Sequence, residues 1–318
     1  PRRLVACGDR VYITLCFPEA VVSVLDAATG KILVKALEGT KGADEMILSD
    51  GVLVVKVARK PLVGATKGFR KESLDDVVVG VDVKTGKQLW RQEDTRVVPY
   101  ALAAADGKVV YHNMDELVCL DLKSGKELWR TANVMASGVG GGNTLVINRG
   151  VVLFNGRSKT PAAGEAPKKT PKVPAKQPVK KRRPRGGGVQ LTALSLEKGA
   201  LLWSQAGKRG LSGACTQPSD VFVTRGGIVW CGASLNGVDI QTGKVRKTLV
   251  VNKLVSPGHH ARCFRAKATE RYIIGPKRGA EFFDTVGDDH MRNDWLRSPC
   301  MTGATPANGL FYTPTSQC

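Results

Sequence analysis

The chain has 318 residues, 42% of them hydrophobic, with 48 Lys and Arg against 28 Asp and Glu and a formal charge of +20. That length and apolar content supply a sizeable core, which excludes a wholly disordered or fibrous chain. No run of 18 apolar residues occurs, so no helical membrane span is expected. The sequence begins Pro1-Arg2-Arg3, without Met or a signal peptide. It is read as part of a longer protein whose targeting signal would lie upstream.

Taken in order, the chain reads as short strands separated by turns, with no helical hydrophobic pattern of appreciable length. A first unit covers about 4–38, with strands at Leu4–Ala6 and Val11–Thr14. A second begins near Met46–Val55 around an Asp50-Gly51 turn and holds an enlarged Lys-, Arg- and Gly-rich loop from Arg59 to Asp76. A third runs from Ala101 to Trp129, and a fourth starts at Thr144 and turns at Asn148-Arg149-Gly150. A fifth uses Val221–Val223, an Arg225-Gly226-Gly227 turn and Ile228–Cys231. A sixth takes in Tyr272–Ile274 and Ala280–Asp284, and a fragment of a seventh contains Pro306 to Tyr312.

The fourth unit is interrupted by Ser158 to Gly188. This stretch holds ten Lys or Arg against Glu165 alone and is punctuated by prolines. Such a composition cannot bury a core, so the segment is expected to be disordered. It is read as a solvated loop tolerated at the edge of a unit. The sharper alternative is a basic arm for nucleic acid, anionic lipid or polysaccharide. No aromatic residue interleaves the basic run, so a base-stacking platform is missing and nucleic acid is disfavoured.

One segment recurs. Val81-Asp82-Val83-Lys84-Thr85-Gly86-Lys87-Gln88-Leu89-Trp90 returns as Leu120-Asp121-Leu122-Lys123-Ser124-Gly125-Lys126-Glu127-Leu128-Trp129. Looser copies carry Asp26 with Gly30 and Asp239 with Gly243. Another keeps Gly199 and Trp203 without the aspartate, and Asp284 with Gly287 marks a faint sixth. An apolar strand leads into each Asp-x-x-Thr-Gly-Lys turn, where Asp and Thr bond nearby backbone and glycine takes a positive φ. A second strand then carries the tryptophan, so each copy is read as the outer hairpin of a small sheet, its polar residues facing outward at the rim. The glycines are spaced by 56, 39, 74, 44 and 44 residues. Removing the basic insertion from the longest interval returns it to the low forties. That period, with four strands per unit, predicts an all-β propeller of four-stranded antiparallel blades, about seven in number (six to eight), forming a single domain over 1–318.

The unit resembles the pyrroloquinoline-quinone (PQQ)-like repeat, which builds the propellers of quinoprotein alcohol dehydrogenases and of BamB-type outer-membrane assembly lipoproteins. The likeness covers roughly 4–290. The tail from His259-His260 to Tyr312 also resembles the last blades of PQQ-like repeat proteins of planctomycete-type bacteria. The resemblance implies that Trp90, Trp129 and Trp203 pack between neighbouring blades, and that the protein is periplasmic, extracellular or otherwise of the cell envelope.

Chemical motifs are sparse. His259, His260 and Cys263 are weak candidates for metal ligation, because adjacent histidines on a strand face opposite ways and no spaced partner follows. His112 and His290 have no motif partner, and no G-x-S-x-G, P-loop or H-E-x-x-H occurs. No C-x-x-C is present. Cys7 and Cys119 are read as small buried strand thiols. A disulfide among Cys263, Cys300 and Cys318 stays open, conditional on an oxidising compartment. The pairs Asp75-Asp76 and Asp288-Asp289 are read as solvated turns.

The resemblance also frames the enzyme alternative. Catalytic quinoproteins hold PQQ between a tryptophan floor and a disulfide of adjacent cysteines, with calcium on Glu, Asn and Asp. This chain has no Cys-Cys pair, and Glu281 and Asn308 stand isolated. No catalytic residue and no cofactor is therefore expected. The reading is a non-catalytic binding or scaffold module with a protein or anionic polymer at the propeller face. The alternative is a PQQ- and calcium-dependent dehydrogenase, or the propeller of a larger redox enzyme.

Overall fold

The computed structural model describes residues 3–16, 19–59, 75–93, 95–132, 134–136, 143–157, 189–207, 220–231, 235–251, 264–275, 280–296 and 303–314. Among the described residues there are 26 strands and no helix. The first blade is β1 (Leu4–Cys7), β2 (Arg10–Thr14), β3 (Val22–Asp26) and β4 (Ile32–Val34). The second is β5 (Ala43–Ser49), β6 (Val52–Ala58), β7 (Asp76–Asp82) and β8 (Gln88–Gln92). The third is β9 (Leu102–Ala105), β10 (Lys108–His112), β11 (Glu116–Asp121) and β12 (Glu127–Ala132). The fourth is β13 (Thr144–Asn148), β14 (Val151–Arg157), β15 (Val189–Ser195) and β16 (Leu201–Gly207). The fifth is β17 (Val221–Thr224), β18 (Ile228–Cys231), β19 (Asn236–Asp239) and β20 (Val245–Thr248). The sixth is β21 (Lys267–Ala268), β22 (Tyr272–Gly275), β23 (Ala280–Asp284) and β24 (Met291–Asn293), and the seventh sheet has β25 (Thr305–Ala307) and β26 (Leu310–Tyr312).

Each sheet is a meander in which strands consecutive in sequence pair antiparallel. The first strands neighbour one another: β5 lies beside β1 and β9, β13 beside β9 and β17, and β25 beside β21. First strands therefore line the axis and fourth strands form the periphery. The sheets are the blades of a β-propeller. A blade has a neighbour on each face, which explains the middle strands. Val52–Val57 and Val77–Val81 are buried throughout rather than alternately, because both of their faces are covered. The core is accordingly divided into seams. One groups Val22, Val24 and Leu37 of the first blade with Leu53, Val55 and Val79 of the second. The next groups Val54 and Val78 with Val109, Val118 and Leu120 of the third.

The repeated hairpins join the third and fourth strands. In five blades the pairing slips by a β-bulge just before the turn, as between Gly80 and Val81 and between Cys119 and Leu120. The residue after the turn aspartate donates its N–H to the inner turn of the same blade: Val83 to Gly51 O at 3.1 Å, and Leu122 to Gly107 O at 2.9 Å. The hairpins thus sit at one end of each sheet beside the inner turns, not along its outer edge. The enlarged loop and the basic insertion leave from the opposite end, bracketed by the pairs Ala58↔Asp76 and Arg157↔Val189. Residues 158–188 themselves, and with them the expectation of disorder, lie outside the described residues, as do His259, His260, Cys263, Cys300 and Cys318.

Candidate functional site

Each repeat turn is built from its own side chains. Asp26 Oδ1 accepts from the Thr29 N–H at 2.7 Å, Asp82 Oδ1 from Thr85 at 2.7 Å, Asp121 Oδ1 from Ser124 at 2.8 Å and Asp239 Oδ1 from Thr242 at 2.9 Å. The hydroxyl of each Thr or Ser donates to the same oxygen. These bonds to the ionised form hold all four carboxyls below the ordinary aspartate value. Gly30, Gly86, Gly125, Gly199 and Gly243 close the turns at positive φ. In the fourth blade Ser195 stands in the aspartate position, and the backbone bond from Gly199 N–H to its carbonyl persists at 2.8 Å.

The same turn is the receptor for the preceding blade. The Trp90 indole donates to Leu122 O at 2.8 Å, Trp129 to Leu196 O at 2.9 Å and Trp203 to Ile240 O at 2.9 Å. A Cβ at Gly125 would lie 2.6 Å from the Trp90 ring, and one at Gly243 would lie 2.8 Å from Trp203. Glycine is therefore required twice over, for its φ and for the ring that lies on it. Two residues beyond each tryptophan, Gln92, Thr131 and Gln205 donate to the carbonyls of Gly125, Gly199 and Gly243. Trp90 is buried, whereas Trp129 and Trp203 are half-buried.

Two seams depart from this scheme. At the first, Val34 takes the tryptophan position, Leu37 packs against Gly86, and the Arg10 guanidinium donates to Val83 O at 3.2 Å. At the fifth, Lys247 takes it, and its ammonium donates to both Val286 O and Gly287 O at 2.8 Å.

A second constellation gathers where the first strands begin. Arg265 precedes β21, Asp220 precedes β17, Thr144 opens β13 and Tyr100 precedes β9. The Arg265 guanidinium bonds Asp220 Oδ1 at 2.9 Å, donates to the Thr144 hydroxyl and lies 5.0 Å from the centre of the Tyr100 ring. One side chain thus reaches from the sixth blade to the fifth, fourth and third, across the mouth of the axial channel. Asp220 is 1% exposed at its side chain, and its second oxygen accepts the Ala266 N–H at 3.1 Å. Tyr100 N–H in turn donates to Glu45 of the second blade at 3.2 Å.

Beside this mouth lies a buried charge cluster. Lys56, 1% exposed at its side chain, bonds Asp44 at 3.2 Å and Asp76 at 3.5 Å, and Arg3 bonds Asp44 at 2.5 Å. Burial works against the Lys56 charge, but Asp76, Asp44 and Glu45 outweigh it and raise its pKa. Burial pushes Asp76 up to about 6, and its Oδ2 is buried without a hydrogen bond. The expectation that Asp75-Asp76 is solvated fails at Asp76. Strand alternation turns its side chain inward onto Lys56, next to the half-buried Asp75.

The remaining candidates scatter. His112 is a core residue stacked 4.7 Å from Phe154, with Nε2 2.7 Å from Val134 O, and burial lowers its pKa to about 4. His290 Nδ1 accepts the Asp284 N–H at 2.9 Å. Asn308 lies in an inner turn at φ 50°, and Glu281 is buried in β23. Cys119 is buried, whereas Cys7, expected inside, is exposed on β1. Among the described residues no three His, Cys, Asp or Glu side chains converge as a metal site. No adjacent cysteines occur, and the repeat tryptophans are spent on inter-blade seams.

Blades that hand an indole to the next blade's Asp-Gly turn define a propeller of PQQ-like repeats. The family model of outer membrane protein assembly factor BamB matches residues 2–159 and, overlapping, 74–254, and the chain belongs to that family. No curated protein is significantly similar to it in sequence. Among solved structures, the computationally designed Ika8 protein is 16% identical with a TM-score of 0.59, covering 98% of this chain and 79% of that one. BamB from Moraxella catarrhalis is 14% identical with a TM-score of 0.50, covering 96% and 76%. A quinohemoprotein alcohol dehydrogenase from Pseudomonas putida HK5 is 12% identical with a TM-score of 0.48, covering 92% and 53%. At these identities the likeness is one of fold.

Proposed function

We propose that this propeller is a non-catalytic binding scaffold of the cell envelope, engaging a protein or an anionic polymer through one of its faces. The observation that carries the reading is the Arg265 bridge. Where the innermost strands begin, four blades are tied together by a guanidinium bonded to Asp220 and Thr144 and stacked on Tyr100. Among the described residues, the Asp and the Thr or Ser side chains of the repeats are likewise committed to their turns. Membership of a family named for outer-membrane protein assembly supports the envelope location and a protein partner. The test is to incubate the purified chain with PQQ and calcium, dialyse it, and assay alcohol and sugar oxidation with an artificial acceptor. The reading expects neither retained quinone absorbance nor turnover. Calcium-dependent turnover surviving dialysis would overturn it.

A further inference from the structure

Five of the seven inner turns carry an acidic residue or Asn, and two carry Arg without one. The turns are Gly8-Asp9, Asp50-Gly51, Asp106-Gly107, Glu270-Arg271 and Asn308-Gly309 in five blades, but Arg149-Gly150 and Arg225-Gly226-Gly227 in the fourth and fifth. Asp50, Asp106 and Asn308 sit at φ 45–50°, a left-handed conformation that short polar side chains tolerate. Arg149 is held at the same φ of 50° with none of that local compensation. Its stem lies across the seam, with Cδ 3.2 Å from where a Cβ of Gly227 would be.

The two exceptions are neighbours and line one cleft of about 560 Å³, together with Phe222, Thr224, Thr269 and Glu270. Among the described residues neither Arg149 nor Arg225 forms a salt bridge, whereas Arg271 of the next turn bonds Asp284 at 2.8 Å. The cleft thus brings two guanidinium groups together beside Glu270 and the half-buried ring of Phe222.

We propose that the cleft between the fourth, fifth and sixth blades binds an acidic, extended segment of a protein partner, with Arg149 and Arg225 each clamping a carboxylate. Guanidinium forks match carboxylates in two-point geometry, and Phe222 offers apolar surface to the residue between. The proposal rests on the scaffold reading, and the two fail separately. Quinone turnover would end that reading without touching a peptide titration. Absence of acidic-peptide binding would end this one and leave a scaffold that binds elsewhere.

The experiment titrates the full chain into a fluorescein-labelled Glu-rich decapeptide, read by anisotropy, with a Lys-rich decapeptide as control. Arg149→Asp with Arg225→Asp gives the turns a residue already found in their sister blades, so the variant is expected to melt at or above the parent temperature. It is also expected to bind the acidic peptide at least about tenfold more weakly. A second variant, with Lys180, Lys181, Arg182 and Arg183 changed to Gln, controls for the basic insertion. It is expected to shift affinity by less than about threefold. No binding by the parent, equal binding of both peptides, or full affinity in the arginine variant would each overturn the proposal.

Discussion

The seams leaving the second, third and fourth blades and the seam leaving the fifth solve one problem with opposite chemistry. In the first three an indole covers the next blade's turn and donates one N–H to its backbone. In the last, Lys247 offers no ring but gives its ammonium to two carbonyls of the following turn, Val286 O and Gly287 O. The carbonyl of the receiving turn needs a donor in every case, and that requirement is what the seam preserves. A ring at this position is optional. At this position the tryptophans combine burial with a hydrogen bond, while Lys247 supplies charge-assisted bonds and the apolar packing of its seam comes from Trp230, Ile273 and Phe283.

Removing a ring tests the comparison most severely. Trp90→Ala empties a buried site and strands Leu122 O, and should cost about 3–5 kcal/mol in urea unfolding. A loss below about 1 kcal/mol would mean that burial contributes nothing special there. Next comes the glycine beneath the ring. Gly125 and Gly107 have nearly the same φ, 69° and 70°, but only Gly125 faces an indole, and a Cβ at Gly107 meets nothing within 4 Å. Gly107→Ala should cost about 1–2 kcal/mol for its backbone alone. Gly125→Ala should cost about 2 kcal/mol more because Trp90 must move. Equal costs by thermal melting would separate ring from turn. The smallest effect is expected at the cationic seam. Lys247→Met keeps the stem and removes the donors, for a loss of about 1 kcal/mol at this part-exposed site. A loss as large as that of Trp90→Ala, measured in the same denaturant series, would erase the distinction.

How much of this was legible in sequence follows from the range of each interaction. The turns are contiguous, so Asp82, Thr85 and Gly86 announce both the hairpin and its position. Their recurrence at 40-odd residues then predicts the blade. Lys247 is readable by the same ruler, since it stands as far from Asp239 as Trp90 does from Asp82. The channel mouth carries no such signal, because Thr144 and Arg265 are 121 positions apart and belong to no common motif. Asp76 misleads for a narrower reason. Its neighbour Asp75 suggested a solvated pair, yet Lys56 within the apolar run Val52–Ala58 is itself a sign that a carboxylate must lie opposite. Arg149 and Arg225 are visible as turn residues, but only the fold makes them neighbours.

The forward direction of the indole bond sets a schedule for synthesis. Trp90 emerges before its acceptor Leu122, which lies 32 residues downstream, and Trp203 waits 37 residues for Ile240. At a ribosomal pace of 5–20 residues per second, each blade stands unlatched for roughly 2–7 s before the next one reaches it. Trp129 waits 67 residues for Leu196, because the basic insertion is translated in between, and its interval is roughly twice as long. The pause falls mid-chain, when three blades exist and the fourth is half made. During that interval the third blade's indole and its unpaired face are exposed, and the stretch then being translated, highly charged and rich in proline, carries no apolar run that could pair with them.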